Sequence, residues 1–177
     1  SATVSYYDIS VKDIVRTDPA HPLYSIQNGT QKSRGLEAQV TANPVNGLNI
    51  IAGYAYNDSK YTLSDPSTEG RRPETAGPAN LANLWISYHF TSGDAKGLGF
   101  GFGGNYADQN KIVNTVAQGV FILPSYTVLN ASISYDKAKY RFALKMNNIT
   151  NKKYYTGYST INPQMLRQVV GSVSLRF

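Results

Sequence analysis

The chain of 177 residues contains no cysteine, which excludes a disulfide framework and a thiolate metal site and leaves the compartment unreadable from redox chemistry. Charge is scarce as well: Asp, Glu, Lys and Arg make up 16% of the residues, against roughly 25% in an average soluble domain. No uncharged apolar run reaches the ~18–20 residues that a membrane-crossing helix needs. There are only two histidines, His21 and His89, and they stand apart with no HxH or HxxxH spacing. Neither has a motif-placed serine beside it, so the chain is expected to be neither a metalloprotein nor an enzyme. The net charge of +6 is scattered, with no basic stripe or recognition element, which argues against a nucleic-acid partner. No signal peptide opens the sequence. An exported chain would therefore have lost its leader, or Ser1 is not the natural start.

What is abundant is alternation. Val169, Gly171, Val173, Leu175 and Phe177 share one parity near the end of the chain, while Gln168, Ser172, Ser174 and Arg176 share the other. A strand places alternate side chains on opposite faces, so this segment is apolar on one side and wet on the other. The pattern recurs from Leu36 to Ala42, Leu48 to Asn57, Ala82 to Phe90, Leu98 to Tyr106, Thr127 to Tyr135 and Tyr140 to Asn147. Ala2 to Val15 adds a less regular copy, whose apolar parity slips after Tyr6 to Ile9, Val11 and Val15. That slip predicts a bulge near Tyr7 and Asp8, or a strand that leaves the membrane there. The expected fold is all-β, with about eight antiparallel strands of the ~9–11 residues that cross a bilayer at a tilt.

The connections sort by length. NPVNG, TSGDAKG and DKAK fall at one end of the strands, while the stretches 16–34, 58–80, 107–124 and 149–165 fall at the other. Short turns on one side and long loops on the other are the asymmetry of outer-membrane barrels, and a soluble sandwich has no reason to show it. Tyr54, Tyr56, Tyr88, Phe90, Tyr106, Tyr126, Tyr135 and Tyr140 lie near strand ends, where aromatic girdles meet headgroups. The opposite parity is partly small, with Ala55, Gly99, Gly101, Gly103 and Ala143, and offers few bulky groups to fill a narrow lumen.

The segments SRGLEAQ, RRPETAGP, LPSYTVLNASISY and NNITNKKYY, in this order, make the chain resemble the C-terminal barrel of TonB-dependent receptors, the ferric-siderophore subset above all. The resemblance covers essentially the whole length. It implies the C-terminal portion of a larger barrel of ~22 strands with a plugged lumen, the plug and the N-terminal strands lying outside residues 1–177. It also implies a bacterial outer-membrane location and uptake of a ferric siderophore, with iron present only as the chelate and no cofactor held by protein side chains. TonB would be met only through the missing N-terminal parts. The alternative is a stand-alone eight-stranded structural or adhesive barrel.

In a receptor of this kind a bulky, often anionic chelate would meet basic and aromatic groups in the long loops. The candidates are Arg71, Arg72, Tyr106, Gln109, Asn110, Tyr154, Tyr155 and Tyr158. For the tyrosines the competing reading is girdle or loop packing; for the arginines it is a loop-ordering ion pair with Glu74. Arg141, Lys145, Arg176 and Glu37 are expected to face the lumen, paired with one another, with water or with the plug. Lys152, Lys153 and Arg167 are candidates for lipopolysaccharide phosphates, in addition to membrane lipid around the strands. Val173, Leu175 and Phe177 match an aromatic-ended signal read by the barrel-assembly machinery, although Gly171 sits one place away from where some forms of that signal put it.

Overall fold

The structure is a computed structural model that describes residues 1–158 and 160–177. Along the chain run β1 (Ala2–Thr17), β2 (Ser25–Ala42), β3 (Leu48–Leu63), a single 3₁₀ turn (Glu74–Ala76), β4 (Asn80–His89) and β5 (Leu98–Ala107). They are followed by β6 (Asn110–Thr115), β7 (Gly119–Leu123), β8 (Tyr126–Asp136) and β9 (Tyr140–Asn147). The last are β10 (Tyr155–Thr156), β11 (Asn162–Pro163) and β12 (Gln168–Leu175). Eight of these form one antiparallel sheet in the order β1-β2-β3-β4-β5-β8-β9-β12. The pairs β6-β7 and β10-β11 are small hairpins inserted in the long loops.

The register turns the period-two pattern of each strand into two continuous faces. Val4, Ala38, Tyr54, Ala82, Tyr106 and Thr127 are successive partners across six strands. Ile50, Ile86, Phe102 and Ala131 form a parallel row, and Ile133, Leu144 and Gly171 another. A one-residue slip anywhere would turn a strand's apolar set inward, so the outer face and the ladder fix one another. The core is accordingly not buried in the usual sense: Phe102, Leu84, Phe142 and Val173 are exposed, as lipid-facing residues must be.

The other face carries the polar and small residues, and its glycines have a specific use. Trp85 pairs with Gly103 and its ring lies over Gly101, where an added Cβ would meet the ring at 2.5 Å. His89 lies over Gly99 in the same way, and Tyr7 crosses Gly35 to reach Asn57. The bare inward positions are thus seats for large side chains of the neighbouring strand.

The three short connections close one end. In two of them a glycine in the left-handed region, Gly47 (φ +88) and Gly97 (φ +93), takes a conformation that L side chains rarely adopt. Each carbonyl accepts the N–H of the strand that follows in the sheet, His89 and Asp136 respectively, at 2.8 Å. Tyr88, Phe90 and Phe100 stack edge-on beside these turns, at 5.0 and 6.4 Å between centroids, and Tyr140 packs on Phe142 at 5.4 Å.

Three expectations need correction. The bulge in β1 lies not at Tyr7 and Asp8 but around Asp13 (φ +60), where the register shifts between Lys12 and Ile14 and again before Val15. From Ala2 to Lys12 the pairing is unbroken. The register fits the second expected reading, a strand that leaves the apolar layer there, because Ile9 and Val11 face inward and the outward positions become Asp8, Ser10 and Lys12. For the same reason the loop expected at 16–34 shrinks to 18–24, since β2 continues to Ser25 with polar residues on both faces. Tyr126 is not a girdle residue, because it opposes Ala107 on the inner face.

Replacing Gly101 or Gly103 by valine should displace the Trp85 ring and weaken the β4-β5 ladder. In the full-length receptor we expect a loss of roughly 2 kcal/mol, in the range of overpacking, read as a lower urea midpoint for the heat-modifiable gel band.

Candidate functional site: the loop cluster above the lumen

At the long-loop end, loops 64–79, 108–125 and 148–167 are tied to one another by a small number of side chains. Arg72 is the hub of the first. Its Nε donates to the Gly77 carbonyl (3.0 Å), Nη1 to the Asn57 carbonyl (2.7 Å), and Nη2 to Asn57 Oδ1 (2.9 Å) and the Pro78 carbonyl (3.2 Å). A guanidinium offers five donors in a fixed fork, which suits it to gathering the carbonyls of a loop rich in turn formers. Burial lowers its pKa from the ordinary arginine value, and Asp58 acts in the opposite direction. Pro73 beside it is fully buried.

The network continues down the inner wall. Asn57 Nδ2 donates to Tyr7 Oη (2.8 Å) and Ser33 Oγ (2.9 Å), and Ser59 Oγ donates to Asn57 Oδ1 (2.8 Å). The loop is thereby anchored to β1, β2 and β3 together. Asn114 of β6 locks the hairpin onto the same loop: its N–H donates to Glu74 Oε1 (2.9 Å), its Nδ2 to the Arg72 carbonyl (2.9 Å), and its Oδ1 accepts from Arg71 Nη1 (3.2 Å). Glu74 therefore bonds the hairpin; among the described residues it forms no ion pair with Arg71 or Arg72, contrary to the pairing expected from the sequence. Asn110 Nδ2 donates to the Gly157 carbonyl (3.0 Å) and joins the hairpin to the last loop. Asn57 and Asn114 were not singled out from the sequence, and no local signal distinguishes them from other strand asparagines.

These ties enclose a cavity of about 220 Å³ lined by Glu74, Pro78, Asn110, Tyr126, Tyr155 and Tyr158 among others. Tyr155 and Tyr158 are exposed at its edge. Tyr154 is half-buried and stacks on Tyr126, with centroids 4.5 Å apart. Gln109 is exposed on the loop, its N–H bonded to Asp108. Below lies a larger trough of about 550 Å³ on the inner face, bordered by Glu37, Gln39, Asn83 and Asn105, which shares Leu81 and Tyr126 with the upper cavity. Of the eight candidate residues, Asn110, Tyr155 and Tyr158 line the upper cavity, and Gln109 and Tyr154 adjoin it. Arg71 and Arg72 hold the loop beside it.

Tyr106 is the exception. It lies on the outward face opposite Ala82 and Thr127, beside a polar belt in which Tyr54 Oη donates to Asn80 Oδ1 (2.6 Å) and Asn80 Nδ2 to Asp108 Oδ2 (3.0 Å). The Asn80 amide, the Gln109 N–H and Tyr106 hold the Asp108 carboxyl below its usual value. At the opposite end of the inner wall, Asp136 collects Arg176 (3.1 Å) and Arg141 (3.9 Å). Lys145 and Glu37 make no ion pair among the described residues.

Removing the Arg72 fork takes a charged donor from five acceptors, the carbonyls of Asn57, Ala76, Gly77 and Pro78 and Asn57 Oδ1. We expect Arg72→Ala to raise amide exchange across residues 70–79 by about thirtyfold, the equivalent of ~2 kcal/mol for lost charged hydrogen bonds. Exchange in β8 and β9 should stay at the parent level.

The sequence profile described as "TonB dependent receptor-like, beta-barrel" matches residues 1–149. The ferrichrome outer membrane transporter/phage receptor of Escherichia coli is 30% identical over 99% of this chain, which spans 24% of that protein. The ferrioxamine B receptor of Salmonella typhimurium is 30% identical over 99% of the chain and 25% of its own length. Among solved structures, the ferric-catecholate import receptor of Escherichia coli superimposes with a TM-score of 0.80 at 19% identity, over 99% of this chain and 25% of that one. The siderophore receptor PiuA of Acinetobacter baumannii gives 0.79 at 24% identity, over 97% and 25%. This chain thus spans about a quarter of the proteins it matches. With its lipid-facing rows and sorted loops, the chain is an outer-membrane β-barrel segment and belongs to the TonB-dependent receptor β-barrel family.

Proposed function

We propose that this chain is the C-terminal barrel segment of a receptor that takes up a ferric siderophore across the outer membrane, and that the linked loops above the trough form part of the chelate-binding surface. The observation that carries this reading is the tyrosine-edged cavity directly above the inner trough, with Tyr126 and Leu81 lining both. The relatives named for ferrichrome and ferrioxamine B support the ligand class. Tyr155, Tyr158 and Gln109 contact the chelate. Arg71, Arg72, Asn110 and Tyr154 build the surface, and Tyr106 serves the girdle instead. Iron is cargo, held by the chelate's own donors. The plug and the TonB contact belong to parts of the receptor outside these residues.

A self-contained eight-stranded barrel is not favoured. β1 and β12 stand at opposite ends of the strand order, with no ladder between them among the described residues. Each edge is a row of unpaired backbone groups that hydrocarbon does not tolerate. The remaining strands of the receptor supply the partners, and β12, with Val173, Leu175 and Phe177 on its outward parity, is the strand presented to the assembly machinery.

In the full-length receptor, Tyr155→Ala combined with Tyr158→Ala should weaken binding of ferrichrome or ferrioxamine B about tenfold, measured by quenching of intrinsic fluorescence, with an unchanged heat-modifiable band. Parent-like affinity for every chelate that the receptor binds would remove these tyrosines from the site. Deleting Phe177 should lower the yield in the membrane severalfold while leaving the urea midpoint of the inserted fraction unchanged. Equal yields would remove its role as an assembly signal.

A further inference from the structure

On β1, β2 and β3 the outward face changes character above the row Tyr6, Leu36 and Tyr56. The next outward row is Asp8, Arg34 and Asp58, and the one after it is Ser10, Lys32 and Lys60. Lys12 stands one step further, opposite Thr30. All of these point to the side that faces hydrocarbon lower down. At ~3.4 Å per residue the lysine row lies ~14 Å along the strand from the tyrosines, and less in height once the strands tilt. That is headgroup depth, within reach of a long lysine side chain.

The charges in this patch are unevenly matched. Arg34 donates to Asp58 Oδ2 from Nε (3.2 Å) and Nη2 (3.1 Å), with Asp8 across from it on β1. Lys32 and Lys60 are directly opposite one another and exposed. Among the described residues neither makes an ion pair or a side-chain hydrogen bond. Like charges directly opposite destabilise a sheet unless an anion joins them. The groove they border, about 230 Å³, is lined only by Asp8, Lys32, Arg34, Asp58, Lys60 and Thr62. The carboxylates of that groove, Asp8 and Asp58, stand in the row of Arg34, which flanks both and bonds Asp58, and no other strand brings an anion to the lysine pair among the described residues. β2 lies between β1 and β3, and the free side of β3 at this level is taken by the backbone of Gly70 and Arg71, which bonds to Tyr61.

We propose that Lys32 and Lys60, with Lys12 and Arg34 at the rim, hold a phosphate of an outer-leaflet glycolipid, lipopolysaccharide, against the outer wall of the barrel. Two ammonium groups converge on one anion, and the exposed rings of Tyr6 and Tyr56 below lie alongside the acyl chains of the same molecule. Free phosphate uses only the first of these contacts. This site is on β2 and β3, separate from Lys152, Lys153 and Arg167 beside β12. It rests on the outer-membrane location and is independent of which chelate the receptor carries.

The test is lipopolysaccharide retained by the purified full-length receptor, quantified by mass spectrometry. K32Q/K60Q should retain about thirtyfold less, given ~1 kcal/mol for each of the two basic groups at an anionic surface, while K96Q/K139Q, in the turns at the other end, should match the parent. Unchanged retention in a folded K32Q/K60Q receptor, or an equal loss in K96Q/K139Q, would overturn the site. A second measurement needs no variant: reductive methylation of Lys32 and Lys60 should be several times slower in native outer membranes than in delipidated receptor. Added lipopolysaccharide should restore the protection and inorganic phosphate should not. Equal labelling rates, or full protection by phosphate alone, would contradict the proposal.

Discussion

Hydrocarbon offers no partner to a peptide N–H or C=O, and that single fact organises the chain. Every strand that enters the membrane has to be bonded along both edges, and the register from β1 through β12 does this for all but the outermost two. Once the ladder is fixed, side-chain placement follows from parity. The rows running from Val4 to Thr127 and from Ile133 to Gly171 are apolar because they share one face of one sheet. The same constraint makes the two free edges untenable alone, and so ties this segment to a larger closed barrel.

The wet face solves a different problem. Large inward side chains need room, and the strand beside them provides it by omitting a Cβ. Trp85 lies over Gly101 and Gly103, His89 over Gly99, and Tyr7 over Gly35. Tyr7 then leads to Asn57, and Asn57 to Arg72, so a contact that begins as packing on the wall ends as the anchor of a long loop. The loops keep their shape above the lumen because they are hydrogen-bonded to the barrel and to one another through Arg72, Asn114 and Asn110. A surface held this way can present tyrosines to a ligand without first having to order three long segments.

Much of this was legible in the residues. The parity of Leu48 to Asn57, the short turns and the sorted loops required only the two-residue period and a count of connection lengths. Legibility failed where the chain leaves the apolar layer. Above Tyr6 and Tyr56 both faces of a strand meet water or headgroups, the hydrophobic period disappears, and β2 read as loop up to Arg34 although it is paired from Ser25. The loop site was half legible. Tyr155 and Tyr158, chosen by residue type, line the loop cavity, whereas Arg72 bonds carbonyls within its own loop and the neighbouring strand. No sequence rule pairs an arginine with backbone acceptors that only the folded loop assembles. Of the two readings of Tyr106, girdle and loop site, the register favours the girdle, whereas Tyr126, read as girdle, lies on the inner face; only parity separates the two positions.

The central claim is that these strands are one part of a larger barrel, closed by further strands of the same receptor. Its most direct test is the intact mass of the native polypeptide isolated from outer membranes. The account predicts a mass several times the 19.4 kDa of this segment. A membrane-inserted, protease-resistant protein of 19.4 kDa would contradict it, because β1 and β12 would then have to close on one another.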